Sequence, residues 1–265
     1  MIKVLVRGLG RVGSEVAKAV SAHPELELVG GVDIKAQASD YPVFDYPVFT
    51  DTEIALDALN PDVMVDFTQH DAVMPAVRLA AERGVNLVIG TTGLSSDELA
   101  EINRLAQQNG IEAVVASNFS LGAVLMMCLA RILAKFFDWA EITELHHENK
   151  QDSPSGTAIT TARKMIEARG GKDFLHVESK KETLPGARGA LLGGVSIHSV
   201  RLQGLMAHQE VTFGTLGQTL KIRHDQISRE GFCPGVIIAI KRVMELQQEG
   251  SEGGLIPGID ELMGL

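Results

Sequence analysis

A glycine-rich turn near the start of the chain limits the possible fold more than any other feature. Gly8-Leu9-Gly10-Arg11-Val12-Gly13 follows an apolar, strand-like run at residues 2–6 and opens a helix-like segment at residues 12–22. In such a unit the first glycine makes the tight turn, the second lets the backbone approach a pyrophosphate, and the third lets the helix pack close to the strand. The helix N-terminus adds N–H donors and positive potential. The pattern predicts that a dinucleotide contacts Gly8, Leu9, Gly10, Arg11, Val12 and Gly13.

The alternation of strand and helix continues to residue 116. Apolar runs lie at residues 2–6, 26–32, 63–67, 86–89 and 112–115, with helix-like segments between several of them, at 12–22, 72–83 and 95–108. This order is typical of βαβ units, so it predicts a Rossmann-like, doubly wound parallel sheet in an α/β fold. Residues 41–44 and 46–49 both read Tyr-Pro-Val-Phe. Because the repeat is so short, we expect a proline-containing loop and not a repeated architecture.

The pattern changes after Leu121. A long apolar helix at 121–137 precedes a strand at 141–145, a polar loop, a helix at about 154–169, and strands at 195–202, 208–213 and 219–224. Consecutive strands without intervening helices predict a second α+β domain with a mixed or antiparallel sheet. Residues 184–194 are expected to form a loop, and a final helix at about 235–248 to return to the first domain. The predicted division is a dinucleotide-binding domain, 1–117 plus 227–265, and a substrate-binding and oligomerisation domain, 118–226.

Asp33 stands at the end of the second predicted strand, 20 residues after Gly13. A carboxylate at this distance accepts hydrogen bonds from a ribose, although a strand-end turn residue is the alternative interpretation. Its charge opposes a 2′-phosphate, which favours NADH over NADPH. Lys35 softens that preference if it faces the ribose, and is an ordinary solvated lysine if it does not.

Two further segments follow predicted strands. Gly90-Thr91-Thr92-Gly93 comes after the run ending at residue 89, and Ala116-Ser117-Asn118-Phe119 after the run ending at residue 115. Ligands of open α/β sheets bind at the carboxyl edge, so both segments are candidates for cofactor contact. A tight turn and a strand-to-helix junction are the alternatives.

The overall charge excludes one class of partner. With 24 basic and 34 acidic residues the formal net charge is −10, so the chain gains no counterion-release energy on nucleic acid. Cys128 and Cys233 have no metal-type spacing and are expected to be reduced and buried. The apolar stretch at 121–137 contains Arg131 and Lys135, which indicates a helix of a folded protein and no membrane partner. No targeting segment is recognised, and a cytoplasmic location is expected.

The densest chemistry lies in the segment Glu144-Leu145-His146-His147-Glu148-Asn149-Lys150-Gln151-Asp152-Ser153-Pro154-Ser155-Gly156-Thr157-Ala158. A histidine titrates near neutral pH and transfers protons. Pro154 suits a first helical turn, and the N–H groups at Ser155, Gly156 and Thr157 would be available to a carboxylate. A polar strand end is the alternative for the histidine pair. Metal binding is disfavoured because adjacent strand residues point to opposite sides, and no third ligand has suitable spacing. His198, His208 and His224 each lie on a strand-like run and are expected to be structural.

From His146 to Ala158 this segment resembles the signature of the dihydrodipicolinate reductase family, whose enzymes are also called 4-hydroxy-tetrahydrodipicolinate reductases. The resemblance covers essentially the whole chain. It extends to Asp66-Phe67-Thr68, to the Gly90 and Asn118 segments, and to the segments beginning at His198, Ala207 and Ile222.

The resemblance implies reduction of a cyclic dicarboxylate to tetrahydrodipicolinate, with loss of water, in bacterial diaminopimelate and lysine synthesis. Hydride would pass from NADH or NADPH to a conjugated imine, and His146 would protonate the resulting enamine with help from Lys150. His147, Lys150, Gly156 and Thr157 would hold the substrate carboxylates. The resemblance also implies a homotetramer assembled through the second domain's sheet.

The sequence departs from the family pattern in the glycine loop. Many members have Gly-x-x-Gly-x-x-Gly, whereas this chain has the shorter form with Arg7 before it. That difference leaves the cofactor preference open.

Two other functions are compatible with the first domain. One is another two-domain reductase of amino-acid metabolism, acting on an aspartate-derived carbonyl or a cyclic imine. The other is a dinucleotide sensor without catalysis, which would be expected to lose His146 or Lys150.

Overall fold

The computed structural model describes residues 1–36 and 44–265, which form two compact units. Unit 1 comprises Met1–Leu121 and Arg229–Leu265, and unit 2 comprises Gly122–Ser228. The predicted domain boundaries lie within a few residues of these divisions. Residues 41–43, which belong to the first Tyr-Pro-Val-Phe sequence, lie outside the described residues.

Unit 1 is built on a seven-stranded parallel sheet, as the alternating pattern predicted. Its strands are β1 (Ile2–Arg7), β2 (Leu26–Val32), β3 (Val48–Phe49), β4 (Val63–Asp66), β5 (Asn86–Ile89), β6 (Glu112–Val115) and β12 (Gly254–Ile256). They lie in the order β12-β6-β5-β4-β1-β2-β3, and each neighbouring pair is parallel. All four residues of β4 and of β5 are buried, as expected for strands covered on both faces.

The helices of unit 1 are α1 (Gly13–Ala22), α2 (Thr52–Leu59), α3 (His70–Glu82), α4 (Ser96–Asn109), α7 (Cys233–Gln248) and α8 (Ile259–Leu262). A capping box starts α4, because Ser95 Oγ accepts from the Glu98 N–H and the Glu98 carboxylate accepts from the Ser95 N–H. Helix α7, predicted at about 235–248, returns to the sheet of unit 1 as predicted. Asn86 Nδ2, on β5, donates to Gln247 Oε1 of α7 at 3.0 Å.

Unit 2 contains a mixed five-stranded sheet, which confirms the predicted second α+β domain. Its elements are α5 (Leu121–Leu133), β7 (Trp139–His146), α6 (Gly156–Ala168), β8 (Ala190–Leu192), β9 (Val195–Arg201), β10 (Ala207–Thr215) and β11 (Gln218–Gln226). The order is β11-β10-β7-β9-β8. The β7–β9 pair is parallel, and the other pairs are antiparallel.

One face of this sheet changes from apolar to polar along β7. Ala140 and Ile142 belong to the buried core of unit 2. Glu144 and His146 continue the same face, because alternate strand residues share a side. Buried apolar residues thus hold the sheet and α6 together at one end, and polar side chains collect at the carboxyl end of β7.

Several local predictions differ from the structure. The helix predicted from residue 154 begins at Gly156, because Ser155 is its N-cap and Pro154 lies outside it after a cis peptide bond. The predicted loop at 184–194 contains the short strand β8, and the apolar helix at 121–137 ends at Leu133. Elements α2, β3, β12 and α8 were not predicted. Their short lengths gave too little periodicity to detect.

Both cysteines are buried thiols and are not joined in a disulfide, as expected. Among the described residues, no helix combines the length and the apolar character needed to cross a membrane.

Candidate active site

The glycine turn of unit 1 has the geometry that its sequence predicted. Gly8 has a φ of +84°, and a Cβ there would lie 2.6 Å from the Phe67 carbonyl oxygen. A Cβ at Gly13 would lie 1.9 Å from the Gly8 carbonyl oxygen. Neither position therefore accepts a side chain. No side chain of the described residues caps the start of α1. The Ser14 N–H donates to the Gly10 carbonyl oxygen at 3.0 Å, so an anion at this helix start would meet the N–H groups that precede Ser14.

Asp33 fixes the loop on its other side. One carboxylate oxygen accepts from the Leu9 N–H at 3.0 Å, and the other accepts from the Lys35 N–H at 2.9 Å. The Leu9 side chain is buried and packs beside Gly31. Asp33 therefore acts as a strand-end turn residue. Each of its oxygens still has a second lone pair, which a ribose hydroxyl can use.

A cavity of about 400 Å³ opens beside this turn. Its lining includes Gly8, Gly10, Asp33 and Lys35. These features fit the adenosine and pyrophosphate part of a dinucleotide: glycines at positions 8, 10 and 13 of the turn, a helix start without a side-chain cap, and a fixed carboxylate.

A cluster of buried polar side chains lies in unit 1 at the carboxyl ends of β1, β4 and β5. Arg7 Nη1 lies 2.5 Å from Asp66 Oδ2, and Asp66 is 1% exposed. Asp66 Oδ1 accepts from the hydroxyls of Thr68 and Thr91, and Thr91 Oγ1 accepts from the Thr68 N–H. The predicted cofactor residue Thr91 is therefore buried, with its hydroxyl bound inside the protein.

The other predicted cofactor residues of unit 1 differ in exposure. Thr92 and Ser117 are exposed, and Gly90 and Asn118 are half-buried. A Cβ at Gly90 would lie 2.2 Å from the ring of Phe67, so this glycine is required by packing as well. Ala116 and Phe119 are buried, and Phe119 packs edge-on against Phe67. The Phe119 ring therefore belongs to the support beneath the loop.

In unit 2, His146 lies in a network that begins with a buried carboxylate. Its Nε2 is 3.0 Å from Glu144 Oε2, and Glu144 is fully buried. Arg201, paired with His146 on β9, donates Nη1 to Oε2 and Nη2 to Oε1 of Glu144, each at 3.0 Å. Burial raises the pKa of Glu144, but hydrogen bonds from His146, Arg201 and Ser199 outweigh it and lower the pKa to about 2.

The loop after β7 places its cation close to an acid. Lys150 Nζ lies 2.7 and 2.9 Å from the two carboxylate oxygens of Asp152. Lys150 donates both of these hydrogen bonds, which lower the pKa of Asp152. His147 is exposed directly after the strand. Lys150 therefore has the predicted position in the loop, and its ammonium group is ion-paired with the neighbouring Asp152 carboxylate.

The start of α6 has open space beside its first N–H groups. Ser155 caps the helix by accepting from the Ala158 N–H at 3.2 Å. Gly156 follows, and a Cβ there would meet no described atom within 4 Å. Thr157 is half-buried one residue further on. The N–H groups at Gly156 and Thr157 have no partner within the helix, as in any first turn.

The remaining strand histidines have structural partners, as expected. His198 Nε2 lies 3.0 Å from Glu141, and His208 Nδ1 lies 2.7 Å from Asp225. The ring of His224 packs against Gly122, and burial lowers its pKa. No group of three or more metal-binding side chains occurs within residues 1–36 and 44–265.

The sequence analysis assigned no role to Glu144 or Arg201, which the structure places beside His146. Glu144 stands two residues before His146 on a predicted strand, so a shared face was predictable. Arg201 was part of a motif noted for resemblance. Its contact with Glu144 depends on the parallel pairing of β7 with β9, which the sequence alone does not reveal.

Comparison with known proteins assigns both parts of the chain. The family described as "Dihydrodipicolinate reductase, N-terminus" matches residues 2–119, and "Dihydrodipicolinate reductase, C-terminus" matches residues 122–255. A relative from Dehalococcoides mccartyi (strain BAV1), named 4-hydroxy-tetrahydrodipicolinate reductase, is 48% identical over 269 residues, which cover 100% of this chain and 99% of the relative. The chain belongs to the dihydrodipicolinate reductase family. The resemblance inferred from the histidine segment is confirmed.

Two further members support this assignment. The Bacillus subtilis (strain 168) relative, with the same name, is 44% identical over 253 residues, covering 93% of this chain and 94% of the relative. The solved structure of dipicolinate-bound dihydrodipicolinate reductase from Paenisporosarcina sp. TG-14 has a TM-score of 0.88 at 38% identity, covering 98% of this chain and 99% of that one. An amine dehydrogenase from Mycobacterium smegmatis, with a TM-score of 0.62 at 14% identity, shares the fold.

The depressed pKa of Glu144 predicts a pH-dependent contribution to stability. A carboxyl group with a pKa of about 4.5 when unfolded and about 2 when folded stabilises the fold by about 3 kcal/mol above pH 4.5. That contribution is lost as the pH falls from about 4.5 towards 2. Glu144→Gln should therefore lower the free energy of unfolding in urea by about this amount at pH 7, and by progressively less below pH 4.5. A difference between wild type and variant that does not change with pH would contradict the assignment.

Proposed function

We propose that this chain is an NAD(P)H-dependent 4-hydroxy-tetrahydrodipicolinate reductase of diaminopimelate and lysine synthesis. The relatives bear this enzyme name over their full length. The observation that carries the proposal is the arrangement at the carboxyl end of β7, where a hydrogen-bonded histidine precedes a lysine and an open helix start. A dinucleotide sensor without catalysis would have no use for this arrangement.

The cofactor is proposed to bind unit 1. Gly8 to Gly13 and the start of α1 would hold the pyrophosphate, and Asp33 the ribose. Thr92, Ser117 and Asn118 would contact it from neighbouring loops, with Gly90, Thr91, Ala116 and Phe119 shaping those loops. The bound nicotinamide supplies the hydride.

NADH is the proposed preferred form. Asp33 is held in place by two backbone N–H groups, so its charge is fixed where a 2′-phosphate would bind. Lys35 reduces this repulsion without removing it. The expected preference is therefore moderate, and both cofactors should be accepted.

The substrate is proposed to bind at the start of α6. One carboxylate would accept hydrogen bonds from the N–H groups of Gly156 and Thr157, with His147 and Lys150 adding charge or hydrogen bonds. The carbon that accepts hydride belongs to a conjugated imine, and reduction leaves an enamine that must be protonated. His146 is proposed to supply that proton, with Lys150 assisting. Positioned proton transfer contributes about 100-fold to 10,000-fold.

A homotetramer in the cytoplasm is the proposed state of the enzyme. The sheet face of unit 2 opposite α6 carries large apolar side chains in partly exposed positions, with Trp139 40% and Leu191 56% exposed. Such side chains suit an assembly surface. The two cysteines, which form no disulfide with each other, suit a reducing compartment.

Oxidation of NADH and NADPH in the presence of freshly generated 4-hydroxy-tetrahydrodipicolinate tests the function. We expect turnover with both cofactors and a lower KM for NADH.

His146→Gln should lower kcat by about 100-fold or more, since it removes the proton donor, while cofactor affinity stays near wild type. Lys150→Ala should raise the substrate KM and also lower kcat.

Absence of cofactor oxidation by the folded wild-type protein would contradict the assignment. Equal losses of kcat and cofactor affinity in His146→Gln would instead indicate a structural histidine.

Gly156→Ala separates substrate binding from folding. Because the added methyl group meets no atom of the described residues within 4 Å and alanine favours helix, stability should be unchanged or rise by up to about 1 kcal/mol. The methyl group would occupy space that the substrate carboxylate needs, so the substrate KM should rise about tenfold or more. Thr160→Ala is the control, because Thr160 is at an exposed position of the same helix; it should leave KM unchanged. Gly170→Ala would not serve, because Gly170 has a φ of +70°, which alanine rarely adopts. An unchanged KM in Gly156→Ala would remove this residue from the proposed site.

A further inference from the structure

Glu144 is a buried acid whose partners lie on two paired strands of unit 2, β7 and β9. Its carboxylate receives Nε2 of His146 on its own strand, both terminal nitrogens of Arg201 on β9, and a side-chain hydrogen bond from Ser199. A buried carboxylate costs several kcal/mol unless it is fully paired. The family's reaction does not by itself require an acid at this position, which raises the question of what it does.

We infer that Glu144 is a positioning residue that orients the imidazole of His146, so that Nδ1 carries the proton given to the substrate. The inference rests on the proposed function, in which His146 is the proton donor. Glu144 itself touches neither substrate nor cofactor in this account.

The proton assignment follows from hydrogen-bond chemistry. An ionised carboxylate only accepts, so Nε2 of His146 must carry a hydrogen when it bonds to Glu144 at 3.0 Å. The proton available for transfer is therefore on Nδ1, which has no hydrogen-bond partner among the described residues. When the Nδ1–H bond breaks and a C–H bond forms on the substrate, His146 is left neutral with hydrogen on Nε2. That tautomer is the one that Glu144 stabilises.

Arg201 keeps Glu144 in the state that this role needs. Its two hydrogen bonds help to hold the pKa of Glu144 near 2, so the carboxylate remains ionised throughout the working range. Nη2 of Arg201 also donates to the carbonyl oxygen of Asp152 at 2.6 Å. The same guanidinium thus connects the orienting acid with the loop that carries Lys150.

The chain contains a matched control on the same strand. Glu141 also lies between a histidine and an arginine, with Oε2 3.0 Å from His198 and Oε1 2.6 Å from Arg188. It is 43% exposed and, three residues from Glu144, lies on the opposite face of β7. Loss of its charge should not affect His146.

The test compares kcat and KM of Glu144→Gln and Glu141→Gln, each in the wild-type and the His146→Gln background, with single-turnover cofactor oxidation where rates are low. We expect Glu144→Gln to lower kcat by about 10- to 100-fold with little change in substrate KM. In the His146→Gln background it should change kcat by less than about twofold, because its effect passes through His146. Glu141→Gln should leave kcat unchanged in both backgrounds.

Glu144→Asp provides a second variant if Glu144→Gln does not fold. It keeps a negative charge in the same buried position, and so limits the loss of stability, but draws the carboxylate back by the length of one C–C bond. The contact with His146 lengthens, so kcat should fall while the protein remains folded. Wild-type kcat in the folded Glu144 variants, or an equal loss with and without His146, would overturn the inference. Failure of the proposed function looks different, since wild type would then show no turnover, or His146→Gln would retain it.

Discussion

The polar end of unit 2 depends on the buried pair of Glu144 and Arg201. Removing one member of such a pair leaves an uncompensated buried charge and typically costs about 3–5 kcal/mol. The pair exists because β7 and β9 are parallel neighbours in register, with Glu144 opposite Ser199 and His146 opposite Arg201. Together with hydrogen bonds from His146 and Ser199, this contact keeps Glu144 ionised. Arg201 also attaches the following loop, by donating to the Asp152 carbonyl oxygen.

In unit 1 the candidate ligand site is formed mainly by backbone N–H groups at the carboxyl edge of the sheet. Its parallel strands end at one edge, and the peptide groups there must bind something or face water. Gly8 and Gly13 leave room for a close approach, and Asp33 holds the turn through the Leu9 N–H. The buried Arg7–Asp66 ion pair lies beside this turn, at the carboxyl ends of β1 and β4. A negatively charged ligand therefore meets N–H groups whose positions are already determined by the protein.

The sequence revealed most of the fold because long periodic segments carry strong signals. Strands β2, β5 and β6 have the predicted bounds, and α4 lies within one residue of the helix predicted at 95–108. Short elements such as β3 and β12 were missed, since two or three residues show no period and are stabilised by tertiary pairing. The helix start was misplaced at Pro154 because a proline outside a helix and one in its first turn produce the same local pattern.

The site was predictable where chemistry is contiguous in sequence and not where it depends on strand pairing. His146, Lys150 and Gly156 lie within one segment, whereas Arg201 reaches Glu144 across a pairing of distant strands. A crystal structure with NADH and dipicolinate would test the central claim most directly. The account predicts Nδ1 of His146 facing the ligand ring, Nε2 on Glu144, and a carboxylate on the N–H groups of Gly156 and Thr157. A ligand met by Nε2, with Glu144 no longer bonded to His146, would contradict it.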